Sequence, residues 1–393
     1  MTCVKQHAQD ARLTVISKVR AARPRLPADN RVRLPPARRA TEQTVWRRAV
    51  WVGLVAAVGL LSGCQDGGFL PTAAQADQRP GRLAKLPDGR ALNLRCEGRG
   101  SPTVLMDAGW GGNSGAWWLV QPRVARETRV CAYDRAGYGF SDPGPLPRDG
   151  AANARDLDLA LTAAGIDGPF VVVGHSAGGL YARLFAARRP GEIQGLVLVD
   201  PTVEQRAATP GERDGLDGIR RRVRRCLATA EAQPVPPRDD PAWVGCIGKK
   251  PGDHDWVVAR RPDTWRNQLS ELDTLFGRTS EEVMRLGDLL KTVPIYVLTA
   301  SDTANASSMV GYDHPQSVWE LQHLRLALSS EHGSQRTVLS SHLIMIDRPE
   351  VVTDAVLAMV RAARAGAPPE ALPASEGPQP GDQPFAPETP VTK

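Results

Sequence analysis

Gly174-His175-Ser176-Ala177-Gly178-Gly179 is the most informative motif in this sequence. It follows the apolar, β-branched run Phe170–Val173 and precedes the helical stretch Leu180–Arg188, so the serine lies on a tight turn between a strand and a helix. Glycines two positions before and after Ser176 let neighbouring elements approach without a Cβ clash. A serine at a helix N-terminus lies where developing negative charge is favoured, which is typical of a nucleophile. A phosphate-binding loop is the alternative, but no Lys follows as such a loop requires.

Short apolar runs alternate with helical stretches on both sides of this turn. The runs are rich in β-branched residues and end at Asp or Gly, which suits strands that are buried on both faces of a sheet. The alternation predicts an α/β fold with a mostly parallel central sheet flanked by helices. The predicted strands are Ala91–Leu94, Thr103–Met106, Arg129–Tyr133, Phe170–Val173, Leu196–Val199, Ile295–Leu298 and Thr337–Leu339. The predicted helices are Asp156–Ala164, Leu180–Arg188, Arg220–Ala230 and Val318–Leu328.

Residues 201–286 break this alternation, because they contain helix-like sequence and no strand-like run. They predict a helical cap inserted into a core made of residues 81–200 and 287–365. Residues 64–80 are small and polar, and predict a flexible tether. Residues 366–393 contain eight prolines and few large apolar residues, and predict a disordered tail.

The first 63 residues have the character of a leader. Arg47 and Arg48 precede the uncharged run Ala49–Leu61, which is short for a bilayer span and typical of a secretory signal. Leu61-Ser62-Gly63-Cys64 resembles the bacterial lipobox, whose Cys becomes lipidated. We therefore expect an exported lipoprotein anchored at Cys64, on the periplasmic or outer-membrane side of the cell envelope. A plain signal peptide and an uncleaved anchor are the alternatives, and residues 1–44 are long enough to suggest an over-extended start.

The charge distribution argues against a nucleic-acid partner. Residues 1–48 carry twelve Lys/Arg and three Asp/Glu, while the whole chain has a net charge of +6, so the chain from Cys64 onward carries a net −3. Binding to nucleic acid needs a basic patch on the folded domain, and the basic residues are concentrated in the leader instead.

Three motifs resemble those of the α/β-hydrolase superfamily, in particular its serine esterases and lipases, over about residues 80–365. Asp134–Ser141 is similar to the D-x-x-G-x-G-x-S turn of the family, and Gly174–Gly178 to its G-x-S-x-G nucleophile turn. Asp107–Gly112 stands where the family has its oxyanion loop, with Ala108 in place of the usual His. The resemblance implies Ser176 as the nucleophile.

The resemblance also implies the remaining site residues. The backbone amides of Trp110 and Ala177 would form the oxyanion hole. The base follows the nucleophile in chain order, and His342 fits best because it precedes a predicted last helix that starts at Asp347. Asp302 is the preferred acid, because it follows the strand Ile295–Leu298 near the position where the family usually has its acid, after its seventh strand. Asp200, at the end of the strand Leu196–Val199, is the alternative and corresponds to the end of the family's sixth strand. The other histidines beyond Ser176 are His254, His314, His323 and His332, of which His254 in Asp253-His254-Asp255 could also belong to a metal cluster.

Four cysteines remain after Cys3 and Cys64, an even number that suits disulfides in an oxidising compartment. In the family fold the second strand neighbours the fourth. If the strands at Cys96 and Cys131 are those two, the resemblance implies the bond Cys96–Cys131. Cys226 and Cys246 both lie in the insertion and would close a local loop. Two other pairings and four free thiols are the alternatives.

These observations predict a hydrolase of carboxylic esters that works through a Ser-His-Asp triad and an acyl-enzyme intermediate. No metal or organic cofactor is expected, and the expected partners are a small-molecule ester and, through the lipid anchor, a membrane. Cleavage of amides, thioesters or carbon–carbon bonds by the same triad stays open. So does a ligand-binding protein on a hydrolase fold, although such a binder has no need of a complete triad.

Overall fold

A computed structural model of the protein describes residues 79–204, 210–247, 253–303 and 318–376. The predicted leader, the lipidation site Cys64 and nearly all of the tether lie outside the described residues. His314 and the last part of the tail, residues 377–393, also lie outside them.

One eight-stranded sheet organises the described chain, with strand order β1-β2-β4-β3-β5-β6-β7-β8. The pairs β1–β2 and β2–β4 are antiparallel and the other pairs are parallel, as the sequence predicts for most of the sheet. All seven predicted strands form, and the short β1 is an addition that the sequence pattern does not indicate. The strands are β1 Arg82–Lys85, β2 Ala91–Glu97, β3 Thr103–Asp107, β4 Val130–Tyr133, β5 Phe170–His175, β6 Ile193–Val199, β7 Ile295–Ala300 and β8 Gly333–Val338.

Helices cover both faces of the sheet. Successive residues of β5 alternate between two apolar clusters, since Val171 and Val173 belong to one and Val172 to the other. The α-helices are α1 Gln121–Val124, α2 Gly150–Ala164, α3 Ala177–Arg188, α4 Pro210–Glu231, α5 Asp253–Ala259, α6 Pro262–Thr274, α7 Ser280–Met284, α8 Val318–Leu328, α9 Ile344–Asp347 and α10 Pro349–Ala365. A π-helix at Leu275–Thr279 and 3₁₀ turns at Ser114–Trp117, Pro241–Trp243 and Gly287–Leu290 complete the described elements. Within the described residues, no helix is both long and apolar enough to cross a bilayer.

The insertion between β6 and β7 is helical, as predicted, and it has a small apolar core of its own. Cys226, Trp243, Cys246 and Trp265 are buried in that core. The end of the insertion packs elsewhere, because Leu275, Val283 and Leu290 belong to the main apolar cluster on one face of the sheet. The cap, judged by packing, therefore ends near residue 274 rather than at 286.

The prediction of a disordered tail from residue 366 is wrong for its first part. Glu376 accepts hydrogen bonds from Arg336 at 2.8 Å, from Arg348 at 2.8 and 3.1 Å, and from the Leu339 amide at 2.9 Å. A carboxylate shared by two guanidinium groups holds the chain beside β8, the edge strand of the sheet. The proline content predicts little regular structure, but it does not reveal this ionic attachment.

Both predicted disulfides are present. Cys96 and Cys131 lie directly opposite each other on the antiparallel pair β2–β4, with their Cα atoms 4.0 Å apart. Cys226 in α4 is bonded to Cys246, and their Cα atoms are 5.6 Å apart. The first bond ties two strands of the core, and the second closes a loop inside the cap.

Candidate active site

Ser176 lies on a strained turn between β5 and α3. Its φ of 51° and ψ of −125° are unusual for a residue with a side chain. The backbone is held there by three hydrogen bonds: the Ser176 amide donates to the Val199 carbonyl at 3.1 Å, and the Ser176 carbonyl accepts from the amides of Gly179 at 2.9 Å and Thr202 at 3.0 Å. The hydroxyl makes no capping bond to the helix that it precedes. The turn therefore presents the hydroxyl at the helix N-terminus instead of using it to cap that helix.

The two glycines that flank Ser176 are required by close backbone approach, as the sequence predicts. A methyl group at Gly174 would lie 2.5 Å from the Gly178 carbonyl oxygen, and one at Gly178 would lie 2.6 Å from the Asp107 carbonyl oxygen. Real Cβ atoms essentially never come so close. The nucleophile turn thus packs directly on the end of β3, where the oxyanion loop begins.

His342 is paired with Asp200. The distance from His342 Nδ1 to Asp200 Oδ2 is 2.6 Å, and the Asp200 side chain is fully buried while that of His342 is 42% exposed. Asp200 also accepts hydrogen bonds from the Ala300 amide at 3.0 Å, the Thr303 hydroxyl at 2.8 Å and the Trp319 indole at 2.9 Å.

These contacts fix the protonation of the pair. Burial opposes ionisation of Asp200, but the hydrogen bond and charge of His342 outweigh it and hold the pKa of the carboxyl below its ordinary value of 3.8. An ionised carboxylate only accepts hydrogen bonds, so Nδ1 of His342 must be the donor. In the neutral ring, Nε2 then carries the lone pair that a general base needs.

The preference for Asp302 over Asp200 is wrong. Asp302 is exposed, and among the described residues its carboxylate has one hydrogen-bond partner, the Ser301 hydroxyl at 3.5 Å, while its amide donates to the Ser340 carbonyl at 3.2 Å. Asp200 follows β6 directly with a φ of 39°, and its carboxylate points towards His342 across the end of β7. Of the two carboxylates weighed from the sequence, the structure brings only Asp200 to the histidine.

The other described histidines are placed away from the role of base. His323 is fully buried, with Nδ1 bonded to the Thr299 hydroxyl at 2.9 Å and Nε2 to the Pro201 carbonyl at 2.8 Å. It therefore supports the loop that carries Asp200. His254 stacks on Phe140 with ring centroids 3.4 Å apart, and His332 is exposed on a turn. Among the described residues, no group of three or more His, Cys, Asp and Glu side chains is arranged to hold a metal ion.

Sequence reasoning missed His175, which supports the loop of His342. His175 is buried, its Nε2 lies 3.0 Å from the His342 carbonyl oxygen, and the two rings lie 4.7 Å apart. Burial lowers the pKa of His175 to about 3, so the ring is neutral and Nε2–H donates to that carbonyl. The residue before the serine thus fixes the backbone of the residue that would act as its base.

The oxyanion loop is held by Arg135. Its guanidinium donates to the Ala108 carbonyl at 2.6 Å and to the Gly109 carbonyl at 2.9 Å. A methyl group at Gly109 would lie 3.0 Å from Ser176 Cβ, so the loop passes directly beside Ser176. In a trans peptide the C=O and N–H point in opposite directions, so the Trp110 amide points away from Arg135. The hydrogen bond to the Gly109 carbonyl therefore orients the amide that the family resemblance nominates as an oxyanion donor.

Arg135 also links this loop to the cap. Its side chain is buried between two carboxylates, Asp107 at 2.7 Å and Glu271 of α6 at 3.0 Å. The hydroxyl groups of Tyr133 and Tyr138 donate to Asp107 at 2.6 Å and to Glu271 at 2.8 Å. The contact between Asp107 and Arg135 could be predicted from the sequence, because the two residues lie at or just beyond the ends of neighbouring parallel strands. Nothing in the sequence pattern pairs either of them with Glu271.

Comparison with known proteins supports the fold. The family model described as the alpha/beta hydrolase fold matches residues 102–228. A curated relative from Azorhizobium caulinodans, named "Putative carbamate hydrolase RutD", is 30% identical over 227 residues, which cover 54% of this chain and 77% of the relative. The chain belongs to the α/β-hydrolase family. Other curated relatives are matched over a smaller share of their length, 46% of the uncharacterized protein YqjL of Bacillus subtilis and 21% of an uncharacterized vacuolar membrane protein of Saccharomyces cerevisiae.

Solved structures of α/β-hydrolases superimpose on most of the chain. A thermophilic esterase from Thermogutta terrifontis gives a TM-score of 0.51 at 20% identity, covering 72% of this chain and 99% of the esterase. The epoxide hydrolase CorEH gives 0.54 at 18% identity, covering 70% and 96%. The haloalkane dehalogenase DbeA from Bradyrhizobium elkani gives 0.53 at 18% identity, covering 74% and 99%. At identities this low, the structural similarity establishes the shared α/β-hydrolase fold alone. The reaction must be inferred from the site residues.

Proposed function

We propose that this α/β-hydrolase is a serine hydrolase of carboxylic esters, with Ser176 as nucleophile, His342 as general base and Asp200 as the carboxylate that orients the base. The observation that carries the proposal is the 2.6 Å hydrogen bond between His342 and the buried Asp200. This pair belongs to the carboxyl-end edge of the sheet, where β5 ends at the strained Ser176 turn and β6 ends at Asp200. A nucleophile, a base and a carboxylate on this edge are the parts that acyl transfer needs.

The proposed reaction has two halves. Ser176 Oγ attacks the ester carbonyl while its proton passes to His342 Nε2, and the ionised Asp200 stabilises the imidazolium that forms. The amides of Trp110 and Ala177 would stabilise the oxyanion, each contributing about 3 kcal/mol. His342 returns the proton to the leaving alcohol, and the acyl-enzyme is then hydrolysed by a water that His342 deprotonates.

A serine at position 176 argues against haloalkane dehalogenation and epoxide hydrolysis, the reactions of two of the structural neighbours. Haloalkane dehalogenases and epoxide hydrolases of this fold would call for an Asp at position 176. The curated relative's name instead makes carbamates a reasonable addition to a substrate panel, together with amides and thioesters. All of these reactions use a serine acyl-enzyme, so the panel sets specificity without changing the roles of the three residues.

Turnover of a short p-nitrophenyl ester tests the proposal. Purified protein should release chromophore in a burst of one equivalent followed by steady turnover, if deacylation is the slower half. The variants Ser176→Ala and His342→Ala should each lose several orders of magnitude in kcat, because triad members act as a unit. A folded wild-type protein with neither burst nor turnover across the ester and carbamate panel would favour the rival function, a ligand-binding protein on a hydrolase fold.

The proposed location is the cell envelope, through a lipid on Cys64. Two disulfides favour an oxidising compartment, since they are rare in reducing cytosol. Metabolic labelling with a fatty-acid analogue should mark the wild-type protein and not Cys64→Ala, which should be released from membranes. Soluble, unlabelled wild-type protein that begins well after residue 64 would indicate an ordinary signal peptide.

A further inference from the structure

A cavity of about 100 Å³ lies between the cap and the loop that follows β3. Gly111 and Asn113 of the loop form one side of this cap cavity. His254 of α5, together with Thr264 and Gln268 of α6, contributes to the other side. Thr264 and Gln268 are four positions apart, so they share one face of the helix.

Three polar atoms on residues that line the cap cavity have no hydrogen-bond partner in the described part of the chain. They are Thr264 Oγ1, Gln268 Oε1 and His254 Nε2, and each is buried. The Thr264 and Gln268 side chains are only 2% and 7% exposed. A buried polar group left unpaired costs about 1–3 kcal/mol, so three around one small cavity indicate a ligand that pairs with them.

These three atoms indicate which hydrogen-bonding groups a ligand must carry. His254 forms a hydrogen bond with the Gly139 backbone, which raises its pKa, but burial is the larger effect and keeps the pKa below its ordinary value. The ring is therefore neutral, with Nδ1 donating to the Gly139 carbonyl and Nε2 left as an acceptor. Gln268 Oε1 is also an acceptor, and the Thr264 hydroxyl both donates and accepts. The cap cavity is therefore suited to a ligand that donates hydrogen bonds.

Trp110 connects the cap cavity to the proposed chemistry. Its indole Nε1 donates to the Gln268 backbone carbonyl at 2.9 Å, and its own backbone amide is the proposed oxyanion donor. Gly111, the next residue, already forms the wall of the cavity. A substrate carbonyl held at the Trp110 amide would therefore have the cap cavity beside it.

We infer that the cap cavity is a subsite for a hydroxyl-bearing part of the ester substrate, such as a glyceryl or hydroxyacyl group. Its volume corresponds to about three water molecules, at about 30 Å³ each, which suits a fragment of this size. A neutral donor fits better than an ammonium group, because Asp255, the carboxylate in the lining, already has an interaction of its own. The inference rests on the proposed function, since it assigns the substrate class of the same site.

Matched pairs of esters test the subsite. Glyceryl monobutyrate is compared with butyl butyrate, and ethyl 3-hydroxybutyrate with ethyl butyrate, by kcat/KM in a pH-stat. We expect the hydroxylated member of one pair to be preferred about tenfold for each hydrogen bond gained, and the preferred pair shows which side of the ester occupies the subsite. Thr264→Val and Gln268→Met should bring that ratio towards one. The buried Thr128→Val, whose hydroxyl bonds the Pro102 carbonyl far from the cap, is the control and should keep it.

A binding measurement separates failure of the subsite from failure of the proposed function. Calorimetry with glyceryl monobutyrate uses Ser176→Ala, which cannot turn it over, and compares it with Ser176→Ala carrying Gln268→Met. About tenfold weaker binding in the double variant supports the subsite even if no ester is cleaved. Equal binding in both proteins, or equal ester ratios in wild type and the cap variants, would mean that these polar atoms hold water only and would overturn the inference.

Discussion

His342 Nδ1 lies 2.6 Å from Asp200 Oδ2, and the exposed Asp302 makes no contact with the imidazole among the hydrogen bonds of the described chain. The carboxylate after the sixth strand, rather than the one after the seventh, thus fixes the tautomer of the proposed base. The proposed triad depends on this hydrogen bond more than on any other contact.

The two carboxylates form a matched pair of variants. Asp200→Asn should lower kcat about 10⁴-fold, by analogy with the serine-protease triad, because the amide stabilises neither the correct tautomer nor the imidazolium. The kcat of Asp302→Asn should stay near that of the wild-type protein. Steady-state kinetics on one ester, with circular dichroism to establish folding, measures both. Loss of activity in Asp302→Asn alone would overturn the assignment.

Arg135 is predicted to act on kcat through the oxyanion loop. Arg135→Lys keeps the charge between Asp107 and Glu271 but cannot hold two successive carbonyls with one planar group. We expect kcat to fall by up to about a hundredfold with little change in KM, the pattern of a weakened oxyanion donor.

Arg148→Lys is the control for this variant. Arg148 is equally buried and bonds Asn153 and Asp156, each at 2.7 Å, without touching the oxyanion loop. Both variants should lose thermal stability, but only Arg135→Lys should lose kcat. Equal kcat losses would show that Arg135 contributes to stability alone.

The architecture could be predicted because short strands buried on both faces leave a clear apolar signal. That signal located seven strands, the nucleophile turn and the insertion. The neighbouring second and fourth strands, taken from the family resemblance, led to the correct cysteine pairs. The close approach of neighbouring backbone at Gly174 and Gly178 was also predictable, because the tight turn around Ser176 requires it.

The carboxylate that pairs with His342 could not be predicted in the same way. Asp200 and Asp302 both follow parallel strands at the same edge of the sheet, and sequence patterns do not say where a carboxylate points. The outcome depends on the positive φ of Asp200 and on hydrogen bonds from Ala300, Thr303 and Trp319, which exist only in the folded chain. The predicted start of the last helix at Asp347 is also displaced, because α10 begins at Pro349 and the Asp347 carboxylate bonds Ser341 beside His342.

His175 predicts how stability depends on pH. Its pKa is about 3 in the folded protein because of burial, against an ordinary value of 6.5, so between these values the unfolded chain binds a proton that the folded chain does not. The free energy of unfolding should therefore fall on acidification, by about 3 kcal/mol from pH 6.5 to pH 4 for this group. Burial lowers the pKa of His323 too, which acts in the same direction.

Urea unfolding at several pH values measures this dependence. His175→Gln should flatten the curve over that window, whereas Gln at the exposed His332 should leave it unchanged. An identical pH slope in wild type and His175→Gln would show that His175 takes up its proton as readily in the folded chain as in the unfolded one.

The cap disulfide is predicted to stabilise the insertion. Cys226 and Cys246 are 20 positions apart, and closing a loop of that length is worth about 3 kcal/mol by chain entropy. Cys226→Ser combined with Cys246→Ser should lower the free energy of unfolding by about that amount and increase proteolysis within residues 210–274. Unchanged proteolysis there would indicate that the apolar core around Trp243 and Trp265 holds the cap without the bond.

Covalent labelling measures directly whether Ser176 is the activated nucleophile. A fluorophosphonate reacts only with a serine that its own active site has activated, so intact-mass analysis and peptide mapping should find one adduct per chain, on Ser176. His342→Ala and Asp200→Asn should label far more slowly, and Ser176→Ala should not label. A folded wild-type protein that remains unlabelled, or one that labels at another serine, would contradict the assignment of Ser176 as the nucleophile.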